Sequence, residues 1–218
     1  MIIDERMVTY INSLDTGHTP FLERTAKQTK VPIIRREMQS FLKVFLKMKQ
    51  PKRILEVGTA VGFSAVFMAQ YGEPDAEITT IENYEKRIPV ARENFEKSGF
   101  ADRITLIPGD AAEVLKTLDG PYDFIFMDAA KGQYIHFLPE VLRVLDKNGV
   151  LITDNVLQDG DVIESRFAVE RRNRTIHKRM REYLFELTHN EGLLTSVVPL
   201  GDGIAITMKS HEKREETT

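Results

Sequence analysis

Ile54-Leu55-Glu56-Val57-Gly58-Thr59-Ala60-Val61-Gly62 is the stretch on which the fold turns. A short apolar run ends in a carboxylate, and a turn of small residues leads into the helical spacing of Phe63, Val66, Phe67 and Gln70. That is how a parallel strand hands over to a helix at a nucleotide-type site. Gly58 and Gly62 lack a Cβ, so the backbone can turn sharply there and a ligand can approach it closely. The spacing departs from the dinucleotide fingerprint G-x-G-x-x-G. Ala60 stands where the second glycine belongs, and no third glycine is in register. Taken alone, the turn marks either a ligand at a strand-to-helix switch point or a tight turn without one.

Downstream, strand and helix patterns alternate. The sequence predicts strands at residues 53–58, 77–82, 104–109, 122–128 and 149–154, with helices at 63–71, 84–98, 111–118 and 134–145 between them. Alternation of this kind specifies a parallel sheet covered on both faces. A longer helix is expected at 163–188. Two apolar runs follow, 194–199 and 204–209, joined by Leu200-Gly201-Asp202-Gly203 as an antiparallel hairpin at a sheet edge. Upstream, Met7, Val8, Tyr10, Ile11 and Leu14 share one face of a first helix, and a second helix spans 20–30. Met38, Phe41, Leu42, Phe45 and Leu46 form the stripe of a third, which Pro51 ends. The expectation is an α/β chain with a doubly wound, Rossmann-like, mostly parallel seven-stranded sheet. It is read as a single domain, 1–218: an N-terminal helical region 1–50, a core 51–210 and a charged, frayed tail 211–218.

Composition narrows the function classes. A length of 218 residues, 42% hydrophobic and 29% charged, is that of one ordinary globular domain. With no cysteine there is no disulfide framework, thiolate metal site or thiol nucleophile. No apolar run approaches the ~18 residues of a membrane span, and Met1-Ile2-Ile3-Asp4-Glu5 lacks the basic start of a signal peptide. A cytoplasmic protein with no membrane partner is expected. The net charge of -3 gives no global sign of nucleic acid, so any such sign must be local.

Ligands of open α/β sheets bind outside the carboxyl ends of the strands. Each predicted parallel strand ends there in polar or small residues: Glu56 and Gly58, Glu82, Gly109-Asp110-Ala111, Asp128, and Asp154-Asn155. Glu82 stands where a carboxylate can accept both hydroxyls of a ribose, or it is a solvated strand-end acid. Asp110 can accept from an adenine amino group, cap the next helix, or do both. Asp128, Asp154 and Asn155 are hard oxygen donors on neighbouring strand ends. Without His or Cys they would select Mg²⁺, Mn²⁺ or Ca²⁺ over zinc, and their bland alternative is a pair of helix caps with an Asn turn. Lys131 is a general-base candidate if a dication and partial burial lower its pKa, and otherwise a surface lysine. Between residues 170 and 182, Arg171, Arg174, Lys178 and Arg181 line one face of a helix poor in acids. That stripe is either a solvated face or a footprint for phosphates.

Together these residues resemble the S-adenosylmethionine- and divalent-metal-dependent O-methyltransferases of the catechol and caffeoyl-CoA type. The resemblance runs over nearly the whole chain, through residues 55–64, Ile81-Glu82, Gly109-Asp110-Ala111, Met127-Asp128-Ala129-Ala130-Lys131 and Asp154-Asn155-Val156-Leu157. It is closer still to the bacterial tRNA 5-hydroxyuridine methyltransferase branch, through Val31-Pro32-Ile33-Ile34, Lys131-Gly132-Gln133-Tyr134, the basic helix and Val198-Pro199-Leu200-Gly201-Asp202-Gly203. The resemblance implies a class I methyltransferase fold with extra N-terminal helices. It implies that Ile34, Ser64, Glu82, Asp110, Ala111 and Asp128 contact the methyl donor, with Glu56 and Gly58 in the same donor site. Asp128, Asp154 and Asn155 would hold Mg²⁺ (or Mn²⁺), and Asp128 and Lys131 would be catalytic, Lys131 as base. It further implies a homodimer that methylates 5-hydroxyuridine to 5-methoxyuridine at the wobble position of a tRNA anticodon loop, with Arg171, Arg174, Lys178 and Arg181 binding the RNA. A small-molecule catechol-type acceptor is the alternative. A nucleotide-binding module without catalysis is a third reading, against which the broken fingerprint and the Asp154-Asn155 pair argue. Two departures stand out: Ile34 replaces a frequent Met, and Arg35-Arg36-Glu37 is unusually charged.

Overall fold

Neighbouring residues of the central strands are buried on opposite faces of one sheet, and this divides the core in two. Strand β1 (Arg53–Val57) sends Ile54 to one side and Leu55 and Val57 to the other, and β4 (Tyr122–Met127) splits Phe124 and Phe126 from Ile125 and Met127 in the same way. The first side is covered by α2 (Pro20–Gln28), α3 (Arg36–Lys49), α4 (Phe63–Tyr71) and α5 (Ile88–Ser98). The second is covered by α6 (Ala111–Thr117), α7 (Tyr134–Val144) and α8 (Arg174–His189). These strands carry apolar residues without interruption because both faces are dry. The computed structural model describes residues 4–210, so the expected tail at 211–218 lies outside the described residues.

The remaining strands are β2 (Glu77–Glu82), β3 (Ile104–Pro108), β5 (Leu145–Thr153), β6 (Leu193–Val198) and β7 (Ile204–Lys209). They form the expected seven-stranded sheet in the order β3-β2-β1-β4-β5-β7-β6. Pairs among β1 to β5 are parallel, while β7 runs antiparallel to β5 and to β6. The order reverses between β1 and β4, which opens a crevice at their carboxyl ends. Because β7 is antiparallel, its first residues and the turn before it arrive at that same end. Among the described residues no helix is long and apolar enough to cross a membrane.

The structure corrects three element boundaries. The helix expected at 163–188 begins only at Arg174, because Glu164 (ψ 160°) and Glu170 (ψ 138°) take non-helical backbone conformations within that span. Residues 158–173 form short 3₁₀ turns and bends instead. The helix expected from residue 84 starts at Ile88, with Pro89 in its first turn. β5 begins at Leu145 rather than at residue 149, directly after α7. The expected first helix is present as α1 (Glu5–Ser13), and its apolar residues Met7, Tyr10, Ile11 and, just beyond it, Leu14 are exposed.

Candidate active site

A cavity of about 800 Å³ opens at the carboxyl ends of β1, β2, β4 and β5. Its walls include Ile34, Gly58, Glu82, Asp110, Ala111, Asp128, Lys131, Asp154 and Asn155, so the topology brings together most of the residues singled out from sequence. Glu56 and Ser64 are absent from this lining.

At the β1 and β2 end the backbone fixes a carboxylate. Glu82 is nearly buried, and its two oxygens accept from the backbone N–H groups of Ala60 at 2.7 Å and Tyr84 at 2.8 Å. Ala60, at the position of the missing glycine, has φ 48°, so an alanine takes the left-handed conformation and aims its N–H at Glu82. Each Glu82 oxygen keeps a lone pair for a further donor. Gly58 has φ 109°, and a Cβ built on it would stand 2.1 Å from the carbonyl oxygen of Asp128. The glycine therefore permits the close approach of the turn to the end of β4, a need internal to the protein. Asp110 caps α6, accepting from Ala112 N–H at 2.9 Å, and also faces the cavity; both of its expected roles are compatible. Ile34 is buried, and its carbonyl accepts from Gln39 Nε2 at 2.7 Å, which pins residues 31–35 as a wall.

At the β4 and β5 end two acids meet. Met127 and Thr153 are register partners, so Asp128 and Asp154, one residue further on, leave adjacent strands side by side. Burial pushes the Asp154 pKa up to about 7, with the Asp128 charge the next cause. Asp128 is raised as well, chiefly by burial, and the Lys131 charge opposes the shift. Asn155 follows at φ 57° and donates its backbone N–H to Asp154 Oδ1 at 2.7 Å. A buried and a half-buried acid that repel each other, beside an amide at positive φ, fit a hard divalent cation. Among the described residues no cluster of three or more His, Cys, Asp or Glu is arranged to hold a metal, so the Asn155 amide would have to serve as a ligand.

Lys131 heads a short turn after β4, and its Nζ lies 3.3 Å from Asp202 Oδ2. Asp202 was not anticipated. It is buried on the turn into β7, lines the cavity, and accepts from the backbone N–H of Asp159. Asp159 in turn pairs with Arg35 at 3.1 Å, which joins the two lips of the cavity. A carboxylate between two glycines on a turn reaching the ligand-binding edge was the available signal.

Glu56 has a different situation. It is fully buried, receives a hydrogen bond from the Thr80 hydroxyl, and burial raises its pKa to about 8. The Ser64 hydroxyl beside it favours the charged form without overcoming burial. Both residues tie β1, β2 and α4 together behind the cavity. Their expected contacts with the methyl donor remain a proposal: Glu56 Oε1 is buried without a hydrogen-bond partner, and the charges of the cavity residues Asp128 and Glu82 reach Glu56.

The four cations expected to bind RNA are spread over two elements. Arg171 lies in a 3₁₀ turn, while Arg174, Lys178 and Arg181 follow on α8. Arg174 Nε and Arg181 Nη1 each donate to a backbone carbonyl at 3.2 Å, those of Val169 and Val162, and Lys178 pairs with Glu182 at 3.5 Å. Arg179 donates to the carbonyl of Gly132 at 3.0 Å, which seats α8 against the turn that carries Lys131.

Compared with known proteins, residues 18–210 match the family described as O-methyltransferase. A catechol O-methyltransferase of Mycobacterium tuberculosis is 30% identical over 161 residues, 73% of this chain and 69% of that protein. Caffeoyl-CoA O-methyltransferase 5 of Nicotiana tabacum is 31% identical over 182 residues, 76% of this chain and 72% of that protein. Among solved structures, a methyltransferase of Podospora anserina bound to S-adenosylhomocysteine superposes with a TM-score of 0.85 at 28% identity, covering 94% of each chain.

Proposed function

This chain belongs to the O-methyltransferase family, and on that premise we propose that it moves the methyl group of S-adenosylmethionine to a hydroxyl of an acceptor bearing two neighbouring oxygens. The observation that carries this reading is the pair Asp128, half-buried, and Asp154, buried, side by side on the cavity wall with Asp154 raised to about 7. Bound there, S-adenosylmethionine supplies an electrophilic methyl on a sulfonium. A divalent cation, Mg²⁺ or Mn²⁺, would be held by Asp128, Asp154 and Asn155 and would favour the anionic form of the acceptor hydroxyl.

The chain's own contribution is positioning. Glu82, its oxygens aimed by two backbone N–H groups, accepts the two ribose hydroxyls of the donor. Asp110 and Ala111 border the adenine, and Ile34 closes the opposite wall. Lys131 is the proposed proton acceptor, and Asp202 holds its Nζ at the cavity wall.

For the acceptor we propose 5-hydroxyuridine at the wobble position of tRNA, whose 5-oxygen and 4-carbonyl are adjacent. Supporting it is the electropositive run at residues 166–181, which holds seven Arg and Lys residues and one acid, Glu170. Hydrogen bonds from Arg174 and Arg181 to neutral carbonyls leave their charge in place for phosphates. An anticodon loop also presents its base unpaired, ready to enter a pocket. A small catechol is the second reading, favoured by the relatives named catechol and caffeoyl-CoA O-methyltransferase. A homodimer remains part of the proposal, with the exposed face of α1 as the surface it would cover. Mass spectrometry of tRNA nucleosides from cells with and without the protein tests the acceptor: 5-methoxyuridine-type nucleosides disappear on deletion if it is tRNA and persist if it is not.

A further inference from the structure

Residues 158–173, which overlap the start of the helix expected at 163–188, form a loop with an unusual combination of properties. The loop leaves the cavity lip at Asp159 and ends where α8 begins, beside the turn of Lys131. It is firmly held from behind. Its carbonyls at Val162, Glu164 and Val169 bond to Arg181, His177 and Arg174 of α8, at 3.2, 3.1 and 3.2 Å. Val162 and Val169 are buried, yet Phe167, between them, is 86% exposed. A loop anchored at three carbonyls keeps its largest apolar side chain in water, with Arg166 one residue before it and Arg171 and Arg172 just after.

An exposed aromatic ring among arginines matches the chemistry of unpaired nucleotides. Bases stack on the ring whatever their identity, and guanidinium groups take the phosphates on either side. Resting on the tRNA reading of the acceptor, we infer that Phe167 is a stacking platform for an unpaired base that flanks the methylated nucleotide, on a loop whose arginines take the adjoining phosphates. The charge of the loop selects this occupant over an apolar protein surface, which would have to bury Arg166 and Arg171 without partners. The prearranged backbone keeps the ordering cost of binding low.

The test compares the full-length protein with its Phe167→Ala, Phe167→Leu and Phe167→Trp variants. The probes are an anticodon stem-loop RNA carrying 5-hydroxyuridine and the free nucleoside 5-hydroxyuridine. Loss of the stacked base raises the Kd for the stem-loop about tenfold in the Ala and Leu variants, and Trp retains wild-type binding. Methylation of the free nucleoside and thermal unfolding stay unchanged in all three, because the side chain supports neither the fold nor the cavity. Equal stem-loop affinity for wild type and the Ala variant overturns the inference while leaving the acceptor reading intact. So does a parallel loss on nucleoside and stem-loop, or a dimer that dissociates in the Ala variant with RNA affinity unchanged. A wild-type protein that methylates a catechol and ignores the stem-loop overturns the acceptor reading, and the inference with it.

Discussion

Glu56 and the Asp128–Asp154 pair stand at the same end of one sheet, Glu56 and Asp154 buried and Asp128 half-buried, yet their surroundings treat them differently. Glu56 meets the hydroxyls of Thr80 and Ser64 and has a pKa near 8, so the protein holds it as a neutral acid at the centre of a hydrogen-bonded seam. Asp154 meets Asp128 and Asp202, two further acids, and faces an open cavity. Burial raises the pKa in both places, so burial by itself does not distinguish a ligand site from a structural acid. The neighbours do. At the first site the Thr80 hydroxyl satisfies one carboxyl oxygen and leaves Glu56 Oε1 unpartnered, whereas at the second mutual repulsion between acids asks for a positive ion.

This contrast can be broken by substitution. The largest effect is expected from Asp154→Ala, which lowers methyl transfer by at least about a hundredfold while calorimetry still detects S-adenosylmethionine binding. Loss of donor binding as well would mean that the two halves of the cavity are not separable. Gly58→Ala comes next, since its Cβ would meet the Asp128 carbonyl at 2.1 Å. A loss of about 2–3 kcal/mol in urea unfolding is expected, with a drop in activity because the end of β4 must shift.

Glu56→Gln sharpens the comparison from the other side. The folded-state pKa of about 8 lies above the unfolded value of 4.5, so between those limits the folded protein binds the extra proton. Its contribution to stability is therefore complete below about 4.5 and is lost as pH rises toward 8. Wild-type stability measured relative to Glu56→Gln should fall over that window, with transfer activity changed little. A flat difference would mean that Glu56 is ionised in the fold. The smallest effect belongs to Lys178→Glu, for which activity on tRNA weakens and the salt dependence of binding shifts by about one or two phosphate contacts. Activity on a small catechol should not change.

Much of the site was legible because parallel strands of one sheet end on one rim. Asp128, Asp154 and Asn155 needed only two strand ends and their adjacency to be placed together. Asp202 needed more: its arrival depends on β7 returning antiparallel, a long-range pairing that no local spacing encodes. Glu56 reads as a donor contact from its place beside a glycine turn; in the fold it stands on β1 behind the cavity lining, with its Oε1 unpartnered. On α1, the helical spacing of Met7, Ile11 and Leu14 identified an apolar face without indicating what covers it. At Glu164 and Glu170, non-helical backbone conformations interrupted a helical pattern that the sequence continued.

The central claim is that the acid pair on β4 and β5 works through a divalent cation, and one titration addresses it. Purified enzyme with S-adenosylmethionine and a 5-hydroxyuridine-bearing stem-loop, or a catechol, is assayed in excess chelator and again after Mg²⁺ is restored. The account predicts that transfer stops with the chelator and returns with the metal, and that Asp154→Ala does not respond to either addition. Transfer that continues undiminished in the chelator would contradict it.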